Sequence, residues 1–214
     1  MELYYAPYSP PSRAVRLVAE HLGLEMNLNL IDVMKGEQFA PEYAEINPQK
    51  KVPFLIDGDL KLGESRAIIV YLADKYGEGS RILPQDPCGR ALVNQALQFD
   101  IGTLFRSIRQ YYFPVIFKME EEYRPDRYVK LQNAFEILDK MLESGEFVAG
   151  KNLTVADLSI VASVTTAEAF GFDLEPYKNV LEWIDRVKVS TPGYEEVNEK
   201  GIELLKEAIA SFGQ

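Results

Sequence analysis

The feature that most limits what this chain can fold into is a change of hydrophobic period. Up to Tyr76, apolar runs of strand length alternate with stretches at helical spacing. From Arg90 onward helical spacing prevails, with Gly and Pro sparse. Between them, Gly77, Gly79, Ser80, Pro84, Asp86, Pro87 and Gly89 crowd one short segment, which reads as a connection. A single uniform bundle or sheet does not accommodate such a switch. The expectation is an α/β unit over residues 1–77, a linker over 78–89 and an all-helical unit over 90–214.

In the first unit, Glu2 to Tyr5 is a β-prone run. Ser9-Pro10-Pro11-Ser12 follows, with proline where a helix can begin. Ala14, Val15, Leu17, Val18, His21 and Leu22 hold largely helical spacing, and Gly23 marks a stop. Met26 to Ile31 alternates as a short strand, and Pro41 to Ile46 suits one short helical stretch. Val52 to Ile56 and Leu60 to Leu62 flank Asp57-Gly58, the signal of a hairpin whose type I′ turn needs positive φ at both central positions. Glu64-Ser65 then opens a helix carrying Ala67, Ile68, Val70, Tyr71 and Leu72. A βαβ unit followed by ββα is the thioredoxin-like order. In the second unit, Arg90 to Phe113 is expected as one long helix that Pro114 kinks or ends. Arg127 to Leu142 follows, and Thr154-Val155-Ala156-Asp157 forms a capping box before Leu158 to Val164. That run is apolar nearly all round, so its helix should be central. Val180 to Val189 and Tyr194 to Phe212 complete the set.

Composition removes several function classes. The 214 residues are 47% hydrophobic and 26% charged, ordinary for a globular chain. A net charge of −10 argues against a nucleic-acid partner. One cysteine, Cys88, forms no internal disulfide or CxxC pair, and with one histidine, His21, supplies no Cys/His zinc site. Hence no metal is expected. Cys88 falls in the linker and reads as incidental, His21 as a surface or boundary residue. No apolar run of about 18 residues predicts a membrane span, and no secretory signal precedes the first strand. The expected compartment is the cytosol.

Three short stretches carry possible chemistry. Ser9 stands between the first strand and the first helix. It reads as a turn or N-cap residue, or as a hydroxyl that joins helix N–H groups around an anion. A thiolate held there would have its pKa lowered, each unit corresponding to about 1.4 kcal/mol. No general base is needed. Val52-Pro53 is a strand edge bearing proline, or a cis peptide that offers the Val52 backbone to an extended ligand. Glu64-Ser65-Arg66 is helix-start chemistry, or a pair of opposite charges for an amino-acid head group, with the cations Lys50 and Lys51 upstream.

The run Tyr5-Ala6-Pro7-Tyr8-Ser9-Pro10-Pro11-Ser12-Arg13-Ala14 resembles the N-terminal signature of insect delta- and epsilon-class cytosolic glutathione transferases. Asn47-Pro48-Gln49, Val52-Pro53, Glu64-Ser65-Arg66-Ala67-Ile68, Tyr71-Leu72, Asn94-Gln95, Phe99-Asp100, Gly102-Thr103-Leu104 and Leu153 to Asp157 continue the likeness in order and spacing. It covers nearly the whole chain. The resemblance implies a thioredoxin-like domain that binds glutathione as co-substrate and an all-α domain that holds a small hydrophobic electrophile. It also implies a cytoplasmic homodimer serving detoxification. By family pattern Ser9 stabilises the thiolate, and Val52 pairs with the cysteinyl unit across a cis Pro53. Glu64 and Ser65 hold the γ-glutamyl end, supported by Arg66 and Asp100, and Lys50 with Lys51 faces the glycyl carboxylate. Thr154 and Asp157 match a capping box whose role is folding.

Three positions depart from that pattern: Lys50 where the family often has His, Gln38 where delta enzymes often have His, and Gln98 where an aromatic often precedes Phe99. The electrophile pocket is expected from Ala6, Pro11, Phe105, Ile108, Tyr112, Phe113, Phe117 and Leu204, with Phe212 near the C-terminus. Tyr5 is a rival to Ser9, since related classes use a tyrosine near that point. The rival functions are a non-catalytic carrier of apolar ligands and glutathione-dependent reduction of hydroperoxides.

Overall fold

The computed structural model describes residues 1–212; residues 213–214 and the Phe212 side chain, with the expectation attached to it, lie outside the described residues. The first unit runs β1 (Glu2–Tyr5), α1 (Pro10–His21), β2 (Asn27–Leu30), a 3-10 turn (Glu37–Phe39), α2 (Pro41–Ile46), β3 (Phe54–Asp57), β4 (Leu60–Leu62) and α3 (Ser65–Tyr76). Its sheet has the order β2-β1-β3-β4, with β1 parallel to β2 and antiparallel to β3. The thioredoxin-like order read from the sequence is the order observed. The second unit contains α4 (Pro87–Phe99), a π turn (Asp100–Leu104), α5 (Phe105–Ile116), α6 (Pro125–Met141), α7 (Val155–Ala169), α8 (Lys178–Ser190), a π turn (Glu195–Glu199) and α9 (Lys200–Phe212).

Three local expectations are corrected. The hairpin turns on Gly58-Asp59, because Asp57 still pairs with Leu60; glycine with φ +60° leads the turn, the type II′ arrangement rather than I′. Asp57 is therefore free of the turn, and its carboxylate accepts from Tyr71 (2.7 Å), Tyr76 (2.5 Å) and Lys75 (2.8 Å), tying β3 to α3. Helix α4 begins at Pro87, inside the segment read as a linker. Asp86 accepts at Oδ1 from Gly89 N–H (2.8 Å) and caps α4, so Cys88 stands exposed in its first turn. The long helix expected over Arg90 to Phe113 is two helices about a π turn, and it does not stop at Pro114. Proline there deprives the Gln110 carbonyl of its helical partner, but Arg127 Nη1 donates to that carbonyl (3.1 Å), so α5 continues to Ile116.

The core is continuous through both units. Val155 to Ala167 of α7 are all buried, as an all-round apolar helix requires. The capping box is present: Asp157 Oδ2 accepts from Thr154 N–H (2.8 Å) and Oγ1 (2.9 Å), while its Oδ1 accepts from Val148 N–H and Trp183 Nε1, both at 2.9 Å. Helix α1 packs on α3 on one side and on α7 on the other, which joins the units. Arg13 pins that joint. Its buried guanidinium donates to Ala162 O (3.0 Å), Thr165 Oγ1 (3.2 Å), Thr166 Oγ1 and Asn198 Oδ1. His21 is half-buried at the end of α1, and burial lowers its pKa.

Candidate functional site

A cleft of about 310 Å³ opens where the two units meet. One wall comes from the first unit, and each part of it has a local cause. Ser9 is the N-cap of α1 (φ −75°, ψ 122°), yet its side chain makes no capping hydrogen bond. The two residues after it are Pro10 and Pro11, which have no N–H to offer a cap. The N–H of Ser12, the third residue of the helix, is not taken by the hydroxyl either, which stays available on the cleft wall. The same prolines correct the sequence reading: the first two N–H groups that a helix start would present to an anion are absent.

The next segment is organised by Asn47. Its Oδ1 accepts from Gln49 N–H (3.0 Å), and its Nδ2 donates to Lys51 O (2.7 Å), which also accepts from Tyr43 OH (2.5 Å). This holds Lys50, Lys51, Val52 and Pro53 along the cleft, with the Val52-Pro53 peptide cis. Glu64, Ser65 and Arg66 complete the wall at the start of α3. Lys50 (φ 54°) and Glu64 (φ 62°) adopt positive φ, which non-glycine residues rarely do and which concentrates at functional positions. Arg66 donates from Nη1 to Ser65 Oγ (2.9 Å) and from Nη2 to Asp100 Oδ2 (2.6 Å). Asp100 is fully buried behind the wall and also accepts from Ser159 (2.6 Å) and Ser163 (2.8 Å). Ser65, accepting from the guanidinium, keeps its own proton to donate.

The other wall is mostly apolar. Phe105, Phe113 and Phe117 line it as expected positions, and Pro11 joins them. Four expected positions do not. Ile108 (0% exposed) and Tyr112 (4%) face the helical core, because residues 105, 109, 113 and 117 form one i,i+4 stripe and 108 and 112 the adjacent one. Ala6 is fully buried beneath the loop. Leu204 is exposed at 40%; one residue further along α9, about 100° around the helix, Leu205 and Ile209 reach the cleft instead.

Sequence reading also missed Arg109, Ile116, Thr166 and Phe170 on this wall, and Val33 and Met34 from the segment after β2; Gln38, singled out in the sequence as a departure from the family pattern, lines the cleft with them. The i,i+4 spacing from Phe105 is the signal that finds Arg109. Tyr8 lines the cleft, but its hydroxyl donates to Asp32 Oδ1 (3.0 Å) and accepts from Met34 N–H (3.2 Å). Burial, with the Asp32 carboxylate, pushes the Tyr8 phenol up to about 12. Tyr5, the rival to Ser9, is not on the cleft wall; the Arg16 guanidinium lies 5.8 Å from its ring centroid.

A thioredoxin-like sheet, a helical domain and a cleft with one polar and one apolar wall are the parts of an enzyme that joins a peptide thiol to an apolar compound. Residues 3–80 match the family described as glutathione S-transferase, N-terminal domain, and residues 106–192 match glutathione S-transferase, C-terminal domain. The chain belongs to the glutathione S-transferase family and has its transferase activity. It is 45% identical over 197 residues to glutathione S-transferase D7 of Drosophila melanogaster, covering 92% of this chain and 88% of that protein. A delta-class glutathione transferase of Nilaparvata lugens superposes with a TM-score of 0.94 at 45% identity, covering 99% of both chains. An epsilon-class enzyme from the housefly, Musca domestica, gives 0.91 at 31% identity, covering 99% of this chain and 97% of that one.

Proposed function

We propose that the enzyme works by holding glutathione as a thiolate at Ser9 and presenting it to a hydrophobic electrophile on the α5–α9 wall. The observation that carries this is the Ser9 hydroxyl, which stands at a helix N-cap on the cleft wall and makes no capping bond. A donor to the charged form of a thiol favours that form, and the positive end of α1 acts in the same sense. Sulfur then attacks carbon to form a thioether, accelerated by proximity and by stabilisation of the charge at the donor. In this reading Lys50 and Lys51 meet the glycyl carboxylate, and the Val52 backbone pairs with the cysteinyl unit. Glu64 meets the α-ammonium, and Ser65, oriented by Arg66 on Asp100, donates to the α-carboxylate. Lys50 supplies a cation where the family often has an imidazole. Identities of 45% to a delta-class structure and 31% to an epsilon-class one favour the delta side.

The test is Ser9→Ala, assayed with glutathione and a chlorodinitrobenzene across pH. The expected outcome is a fall in kcat/KM of about tenfold or more near neutrality, with the apparent thiol pKa rising by about one unit. An unchanged rate and pH profile would remove Ser9 from the role. The protein is further proposed to act as a cytosolic homodimer. Leu92, exposed at 49%, and half-buried Phe99 lie seven residues apart on one face of α4, which suits a partner there. Sedimentation should give about twice the 24.3 kDa chain mass; a monomer at micromolar concentration would refute it.

A further inference from the structure

Arg109 is a charged group on the wall that the proposed reaction leaves to the electrophile. It lies between Phe105 and Phe113 on the i,i+4 stripe of α5 that lines the cleft. Its guanidinium carbon is 5.4 Å from the Phe113 ring centroid and 6.0 Å from that of Phe105. Contact with two rings limits where the head group can go, while the N–H donors around its rim remain unspent. Among the described residues Arg109 has no ion pair and no side-chain hydrogen bond. Arg66 differs in this respect, since its donors are committed to Ser65 and Asp100.

The surroundings decide what such a cation does. Ile116, Phe170, Leu205 and Ile209 are the neighbouring parts of the wall, and none carries charge. Arg109 is exposed in the free enzyme, so an uncharged ligand that covers it displaces hydration water without offering an opposite charge. A ligand with an anionic group returns a charge-assisted pair, bidentate if the group is a carboxylate. The protein as a whole is at −10, so its general field disfavours such a ligand, and Arg109 is the cation on the apolar wall that offsets it locally.

We infer that Arg109 makes the electrophile wall selective for apolar acceptors that also carry a carboxylate or a similar fixed anion. This rests on the conjugation reading above, in which glutathione occupies the opposite wall. The anionic group is a spectator. Sulfur bonds to the reacting carbon, the bond from that carbon to its leaving group breaks, and chloride departs with the electron pair in the aryl chloride case. Arg109 contributes to binding and to orientation of the ring.

The experiment compares a chlorodinitrobenzoate with its methyl ester, using the full-length enzyme, Arg109→Gln and Arg109→Lys. The two compounds differ in intrinsic reactivity, so the quantity read is the ratio of their kcat/KM values in each protein, in which that difference cancels between proteins. Arg109→Gln should lower the benzoate-to-ester ratio about tenfold or more, chiefly through KM for the benzoate. Arg109→Lys should retain an intermediate ratio, since it keeps the charge and loses the planar fork. Added salt should reduce the wild-type ratio. A ratio in Arg109→Gln within about twofold of wild type would overturn the inference while leaving conjugation intact. Failure of the wild-type enzyme to turn over either compound would overturn the conjugation reading first, and this inference with it.

Discussion

At the scale of single residues, the site is built from side chains relieved of ordinary duties. Ser9 holds a capping position, but Pro10-Pro11 removes two of the N–H groups near it and its hydroxyl does not take the third, that of Ser12. Ser65 accepts from Arg66 and so keeps its proton for a ligand. Tyr8 is the counter-example. It touches the cleft, but its hydroxyl is already committed to Asp32 and Met34. Burial pushes Tyr8 and Tyr194 both up to about 12, against 10.0 for an ordinary phenol. The sign follows directly. Between about pH 10 and 12 the unfolded chain has lost these protons while the folded chain retains them, so stability falls as pH rises through that window. Thermal melts should therefore move to lower temperature above pH 10, with tyrosinate absorbance growing in step with unfolding. A melting temperature flat through that range would contradict the account.

At the scale of elements, helix phase decides which residues belong to the site. Phe105 and Phe113 are on the cleft stripe of α5, while Ile108 and Tyr112, just as apolar, are on the core stripe. On α9 the same rotation separates Leu205, 5% exposed, from Leu204, 40% exposed. Leu205→Ala should raise KM for an apolar electrophile several-fold by hollowing the wall it lines, and should cost about 2–5 kcal/mol of stability because the side chain is already buried. Leu204→Ala should stay within about twofold, since it takes nothing from the wall. Steady-state kinetics with one aryl halide checks both, and equal effects would mean that α9 sits in another phase. The sequence made the helices themselves legible. Their phase relative to a cleft depends on the partner across it, which spacing does not contain.

At the scale of the whole molecule, the Ser9 loop is held by the second unit. Arg13, one turn beyond Ser9, commits both its terminal nitrogens to α7 and Asn198. Gly201 lets α9 approach that joint: a Cβ there would lie 2.5 Å from Arg13 Cδ and 2.8 Å from the Pro7 carbonyl. The Pro7 carbonyl belongs to the backbone leading into Ser9 and cannot yield without moving it. Gly201→Ala should cost about 1–3 kcal/mol of stability and lower kcat/KM several-fold. Gly102→Ala, where a Cβ meets nothing within 4 Å, should stay within about 0.5 kcal/mol of wild type. Urea unfolding and aryl halide turnover measure the two effects, and a Gly201→Ala enzyme equal to wild type in both would show that the joint is loose.

The sequence by itself determined the thioredoxin-like order of the first elements, the helical character of the rest and the capping box at Thr154 and Asp157, and it singled out the short motifs from Ser9 through Arg66 that line the cleft. All are local: period, turn residues and caps act over a few neighbours, and the polar wall is a set of short motifs read in order. Only the tertiary structure decided that Asp57 leaves the turn for Tyr71, Tyr76 and Lys75, and that α5 passes through Pro114 because Arg127 reaches Gln110. It alone placed Arg109 on the apolar wall and exchanged Leu204 for Leu205. These outcomes depend on residues far apart in the chain meeting in space. A partner that arrives from a distance leaves no mark on the periodicity of the segment it meets.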